Sequence, residues 1–202
     1  MTREDLFPTP LWFTVLNTVP DMLLEQIRKY CIGSVSEENS RIISNRGGYQ
    51  SKDFYLHEVT HTPMHELFVA IQPFVDHCTN DYGIPKNLKI DNIWININRF
   101  GNTNTSHTHP KSILSGGFYV DAEPLSGGIM FERPNTTEAF LLNSLISDTK
   151  FLTWETVAYV PETKKLLIFP SWLKHSVSPN MSGKERISIA FNVGCNRFSY
   201  EN

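Results

Sequence analysis

Arg186-Ile187-Ser188-Ile189-Ala190-Phe191-Asn192-Val193 repeats with a period of two, so that Ile187, Ile189, Phe191 and Val193 fall on one side of an extended chain and Arg186, Ser188, Ala190 and Asn192 on the other. The first side is a packing face. The second can meet water, as in a half-buried antiparallel strand, or a polar cavity, and alternation alone does not decide between them. Working back along the chain, the same period returns at residues 165–169, 156–160, 127–131 and 115–121, and Ile93, Ile95 and Ile97 alternate with Trp94, Asn96 and Asn98. Short strands separated by Gly, Pro and Asn turns predict a mostly β architecture, a double-sheet sandwich or jelly roll.

Before residue 87 the period is helical. A helix is expected from Pro20 with Leu23, Leu24, Ile27 and Tyr30 on one face and Gly33 as its stop. A second has Thr62 as N-cap and Pro63 in the first helical position, and repeats Leu67, Phe68, Ile71, Phe74 and Val75 until Gly83. Between them the polar segment 34–53, which holds Asn45-Arg46-Gly47-Gly48, reads as a surface loop able to reach over a site as a lid. Residues 1–202 are thus expected to form one domain, with 1–86 as helical and loop support packed on one sheet and 87–202 as the jelly-roll core.

Composition narrows the function classes. Eighteen basic against 21 acidic side chains, a formal charge of −3 and no basic block weigh against a nucleic-acid partner. Met1-Thr2-Arg3-Glu4-Asp5-Leu6-Phe7-Pro8 is charged where a secretory signal is apolar, and no stretch reaches the roughly 20 apolar residues of a membrane span, so a cytoplasmic protein without membrane contact is expected. Cys31, Cys78 and Cys195 stand in no CxxC spacing and read as small buried hydrophobes of a reducing compartment. His57, His61 and His65 recur every four residues, but Pro63 breaks any helix that would align them. No GxSxG elbow, Walker loop or GxGxxG supports a hydrolase or nucleotide-binding reading.

The histidines that carry chemistry lie elsewhere. In His107-Thr108-His109 two imidazoles at i and i+2 share one face of an extended chain, about 6.6 Å apart along it, and can converge on one metal ion. A third, His175, ends the apolar run Phe169-Pro170-Ser171-Trp172-Leu173-Lys174-His175. Arg186 and Ser188 follow it in a His-x10-Arg-x-Ser spacing that two adjacent antiparallel strands can fold into one pocket. Asp121 is a fallback carboxylate at the far end of its strand.

Three blocks together resemble the iron(II)- and 2-oxoglutarate-dependent oxygenases, in particular a small branch found in bacteria and their viruses. They are Gly47-Gly48-Tyr49-Gln50-Ser51 with Asp53; Asn96-Ile97-Asn98 through His107-Thr108-His109-Pro110 to Leu114-Ser115-Gly116-Gly117-Phe118-Tyr119-Val120; and residues 169–177 followed by 186–192. The resemblance implies a double-stranded β-helix of the cupin-like jelly-roll kind. It further implies iron(II) on His107, His109 and His175, and 2-oxoglutarate held at its distal carboxylate by Arg186 with Ser188 beside it. Asn98 and Tyr119 are further candidates for cosubstrate contacts. The implied activity is a dioxygenase, consuming O2 and coupling decarboxylation of 2-oxoglutarate to hydroxylation of a small-molecule or peptide substrate. Most of that superfamily has His-x-Asp or His-x-Glu where this chain has His-x-His, so three neutral ligands replace the usual set, and zinc or nickel fits them as well. Two other readings stay open at this point: a cupin-like metalloenzyme without 2-oxoglutarate, and a non-catalytic binding module derived from an oxygenase.

Overall fold

Ile187, Ile189, Phe191 and Val193 are at most 1% exposed, and the larger of two sheets is built around the strand that carries them. The computed structural model describes residues 1–4, 6–38, 40–84, 88–135 and 153–194. In chain order the described elements begin with β1 (Trp12–Val15), α1 (Asp21–Gly33), β2 (Asn45–Arg46), β3 (Tyr49–Gln50), β4 (Phe54–Tyr55) and α2 (Pro63–Asp81). They continue with β5 (Ile90–Asn98), β6 (Thr103–His107), β7 (Leu114–Asp121), β8 (Ile129–Glu132), β9 (Thr156–Tyr159), β10 (Lys165–Pro170), β11 (His175–Val177) and β12 (Arg186–Val193).

The larger sheet runs β1-β10-β7-β12-β5-β3, with β4 also on β5, and the smaller runs β2-β6-β11-β8-β9; every described pairing is antiparallel. Parity sorts the larger sheet into two faces. Its outer face, with Ile93, Ile95, Phe118 and Ile189, packs on Ile27 and Cys31 of α1 and on Leu67, Phe68 and Ile71 of α2. Burying each such side chain contributes roughly 1.5–3 kcal/mol. The ring of Phe68 meets that of Phe191 edge-on at 5.7 Å, and Gly116 leaves room for the pair: a Cβ there would sit 2.3 Å from Phe191 Cζ. The inner face carries Tyr119, Leu167 and Phe169, which join Phe131 and Leu173 in a second cluster between the sheets. Two antiparallel sheets face to face, with the helices on one of them, form the double-stranded β-helix expected from the sequence.

Three details differ from the sequence reading. Strands β1 to β4, all within the first 86 residues, add edges to both sheets, so this part of the chain supplies strands as well as helices. The segment 34–53 is not a free surface loop: β2 pairs with β6, β3 pairs with β5, and Ser40 bridges to Ser51. The cause is Asn45, 3% exposed, whose amide donates to the carbonyls of Arg41 and Gly48 and accepts from the Ile43 N–H, closing a turn completed by Gly47 at φ +80°. Helix α2 does begin at Pro63, but the Thr62 hydroxyl donates to the Val59 carbonyl instead of capping a helix N–H, and Pro73 is accommodated on its exposed side.

Cys31 and Cys78 are buried, and desolvation pushes both thiols up to about 12. Cys195 lies outside the described residues. Among the described residues no helix is long and apolar enough to cross a membrane.

Candidate metal centre and anion clamp

Strand β6 pairs with β11 so that His107 stands directly opposite His175. His109 lies two residues beyond the end of β6, where its backbone N–H donates to the Ser171 carbonyl at 2.9 Å and fixes the chain's direction. Register and parity thereby collect the three imidazoles: ring centroids are 5.0 Å apart for His107 and His109, 4.4 Å for His107 and His175, and 5.1 Å for His109 and His175. One ring nitrogen from each lies within 4.8 Å of the other two.

Hydrogen bonds set the tautomers. Nδ1 of His107 lies 2.8 Å from the Thr105 carbonyl and Nδ1 of His175 lies 2.9 Å from the Leu173 carbonyl. A carbonyl only accepts, so both Nδ1 atoms carry the proton and both Nε2 lone pairs are left for a metal, the arrangement that outer hydrogen bonds give ligating histidines. Nε2 of His109 lies 3.2 Å from Nε2 of His175. Metal–imidazole bonds of about 2.1 Å at a right angle would place two nitrogens about 3.0 Å apart, so the spacing suits ligands sharing one ion. Burial, then the neighbouring His175 and His107, brings His109 down to about 3, and burial with His107 brings His175 down to about 4. Burial lowers His107 too. All three are therefore neutral donors near pH 7, and Trp94 stacks on His109 with ring centroids 5.4 Å apart.

The larger sheet supplies the opposite wall of the same cavity. Arg186, at 2% exposure, lines it with Ser188 and Tyr119. Strand β12 aims Arg186 and Ser188 inward because Ile187 and Ile189 are taken by the outer core. Nη1 of Arg186 donates to the carbonyls of Ser126 at 3.0 Å and Gly127 at 2.6 Å, while its buried Nε has no partner. Among the described residues no carboxylate pairs with it. Burial lowers its pKa, with nearby Tyr119 acting the other way. A buried cation whose guanidinium is only partly satisfied is costly by itself and is relieved by an anion. Gly127, at φ +89°, permits the approach: a Cβ there would lie 2.9 Å from Nη1 of Arg186 and 2.2 Å from the Ser178 carbonyl oxygen.

The cavity measures about 80 Å³, several times the ~10–15 Å³ that one water needs. Tyr119 pairs in register with Ser188, and burial raises its phenol. Asn98, opposite Arg186 in the ladder, is turned to other work: its amide reaches Asn104 at 3.4 Å and its carbonyl accepts from Asn180 at 2.8 Å. The cavity wall holds Asn96 and Asn104 in its stead. Asp121 accepts from Arg28 at 3.0 Å, at the far end of β7. Trp94, read from the sequence as a core or pocket-lining tryptophan, is part of this wall, whereas Ser44 was missed. For Trp94 and Asn96 the signal was present, because they share parity with Asn98 on β5.

Three neutral imidazoles around one point, facing a buried guanidinium across a small cavity, can hold a divalent metal and a small dianionic acid together. The family described as "Putative 2OG-Fe(II) oxygenase" matches residues 92–192, half of the chain and nearly all of this site. Among curated proteins none matches significantly. Solved structures share the fold at low identity. A prolyl-4-hydroxylase of Pseudomonas putida matches with a TM-score of 0.64 and 16% identity, over 93% of this chain and 95% of that one. HygX from Streptomyces hygroscopicus, solved with nickel and 2-oxoglutarate, matches with a TM-score of 0.63 and 12% identity, over 98% and 89%. A viral collagen prolyl hydroxylase from Paramecium Bursaria Chlorella virus-1, in complex with 2-oxoglutarate, matches with a TM-score of 0.58 and 14% identity, over 91% and 94%. With the profile match spanning the histidine cluster and its arginine, the chain belongs to the 2OG-Fe(II) oxygenase family.

Proposed function

We propose that this 2-oxoglutarate- and iron(II)-dependent oxygenase holds its metal with His107, His109 and His175 and its cosubstrate with Arg186, Ser188 and Tyr119, and that it hydroxylates a small-molecule or peptide substrate. When bound, iron(II) and 2-oxoglutarate supply the oxidising chemistry, in which O2 is consumed and the keto acid leaves as succinate and carbon dioxide. The chain's own residues do the positioning. The carbonyls of Thr105 and Leu173 keep the Nε2 atoms of His107 and His175 unprotonated and correctly turned. Arg186 offers its free Nε to a carboxylate in a charge-assisted bond, and a guanidinium, always charged and planar, suits that task better than an ammonium. Because three imidazoles bring no negative charge, the dianionic acid is also the counter-charge for the metal. Leu167, Phe169 and Phe131 dry the inter-sheet space around His175, which strengthens these electrostatic contacts.

The observation that carries this reading is the partnerless Nε of a buried arginine in the cavity lined by the three histidines. Substrate class is supported by the relatives' names: prolyl hydroxylases of a bacterium and a virus, and an enzyme of a Trichoplax adhaerens complex with a peptide fragment. A reducing, cytoplasmic setting completes the reading, in keeping with free buried thiols at Cys31 and Cys78. The test is oxygen uptake by iron-loaded protein with 2-oxoglutarate. Succinate released in step with oxygen, and abolished in His107→Ala, supports the reading. Stoichiometric iron without any affinity for 2-oxoglutarate contradicts it and favours a cupin-like metalloenzyme.

A further inference from the structure

A second cavity, of about 220 Å³, meets the histidine cluster from the other side. The two cavities share Ser44, Trp94, His107 and His109 as a common wall. Arg186, Ser188 and Tyr119 line only the first; Arg41, Gln50, Asp53 and Asn192 line only the second. The second cavity is therefore placed to present a molecule to the metal-facing histidines without competing for Arg186.

Its polar lining is largely self-paired. Arg41 donates through Nη2 to Asp53 at 2.6 Å and through Nε to the Ser51 carbonyl at 3.0 Å, so neither charge calls for an ionic ligand. Asn192 donates to Asn92 Oδ1 at 3.0 Å and accepts from Ser115 at 2.7 Å. Gln50 differs. It is 4% exposed, its backbone is fixed by pairing with Asn96 and by the Arg41 N–H on its carbonyl, and its buried Oε1 has no partner. A buried acceptor left unmade is unfavourable, and a ligand that brings a donor relieves it. Trp94, Ile43 and Pro110 add apolar surface to a lining that is otherwise polar.

We propose that this second cavity is the site of the substrate to be oxidised, that Gln50 is its specificity-determining residue, and that the substrate is an uncharged molecule offering an amide N–H beside an apolar body. The inference rests on the cosubstrate occupying the Arg186 cavity. A zwitterionic free amino acid would have to open the Arg41–Asp53 pair, whereas a capped or peptide-embedded one would not.

The probes are single amino acids capped as N-acetyl N′-methylamides, the same amino acids uncapped, and 2-oxoglutarate itself. Binding is read by ligand-detected NMR on the full chain with zinc and 2-oxoglutarate present, and by stimulation of 2-oxoglutarate consumption in the iron-loaded enzyme. At least one capped amide is expected to bind, the uncapped forms about tenfold more weakly, and Gln50→Leu or Gln50→Met to weaken the capped amide by about tenfold, the effect of one lost hydrogen bond to a buried group. Both variants keep the parent's affinity for 2-oxoglutarate, which also shows that they fold. Uncapped amino acids binding as well as capped ones, unchanged affinity in both variants, or no capped amide binding to a parent that does bind 2-oxoglutarate each overturn the proposal. A parent that fails to bind 2-oxoglutarate overturns the cosubstrate assignment beneath it instead.

Discussion

Replacing Arg186 with methionine separates the clamp from the metal. Methionine keeps the unbranched reach of the side chain but removes the charge, the two bonds from Nη1 to the Ser126 and Gly127 carbonyls, and the free Nε. On the binding side, a hydrogen bond to a charged group is worth about 1.5–3 kcal/mol, and at 2% exposure the upper end applies. The expected loss is therefore about 100-fold in affinity for 2-oxoglutarate. On the folding side two effects oppose: a desolvated charge is removed and two carbonyls lose their donor, so the melting temperature moves little. Iron binding is spared, because Arg186 touches none of the three imidazoles through any described hydrogen bond. The assay is calorimetric titration of 2-oxoglutarate into iron(II)-loaded protein under argon, with metal content measured in parallel. Affinity within about threefold of the parent would refute the clamp, since one charge-assisted bond alone exceeds that.

Three further outcomes are expected. Gly127→Ala places a Cβ at φ +89° against the Ser178 carbonyl and Arg186, so urea denaturation should show a loss of at least about 1–3 kcal/mol; an unchanged midpoint would contradict the packing described. His175→Ala removes one of three nitrogens, and metal analysis after anaerobic gel filtration should find iron lost, whereas full iron content would exclude the triad. The pH dependence follows from histidines whose folded pKa lies below the unfolded value near 6.5. As pH falls the unfolded chain takes up protons first, so metal-free protein is at full stability above about 6.5 and loses it toward about 4 and 3, the values of His175 and His109. The slope is up to about 1.4 kcal/mol per pH unit for each histidine. Chemical denaturation at several pH values that shows no such decline would mean that the imidazoles are solvated.

Much of this site was readable because strand parity is a rigid rule. Once Ile187, Ile189 and Phe191 are assigned to a core, Arg186 and Ser188 must face the other way, and the i, i+2 spacing of His107 and His109 works on the same principle. Among elements of two to four residues, β8 and β9 were foreseen and the others were not. Strands β1, β2 and β11 are too short to establish a period, and they form because longer neighbours offer unpaired edges. Asn98 was named as a cosubstrate contact from the family resemblance, yet which asparagine of the β5 face reaches the cavity depends on how far along the strand the cavity extends, and Asn96 is the one within it. Gln50 stood in the first of the three resembling blocks, but its place at a cavity was hidden for another reason: a two-residue strand inside a polar segment looks like any loop until Asn45 and Gly47 fold it back onto both sheets.

The most direct measurement is a crystal structure grown without oxygen from protein loaded with iron(II) and 2-oxoglutarate. The account requires one metal ion on the Nε2 atoms of His107, His109 and His175, and a carboxylate of the keto acid against Nε of Arg186. A metal seated elsewhere, or a keto acid bound with Arg186 Nε still unpaired, would contradict it.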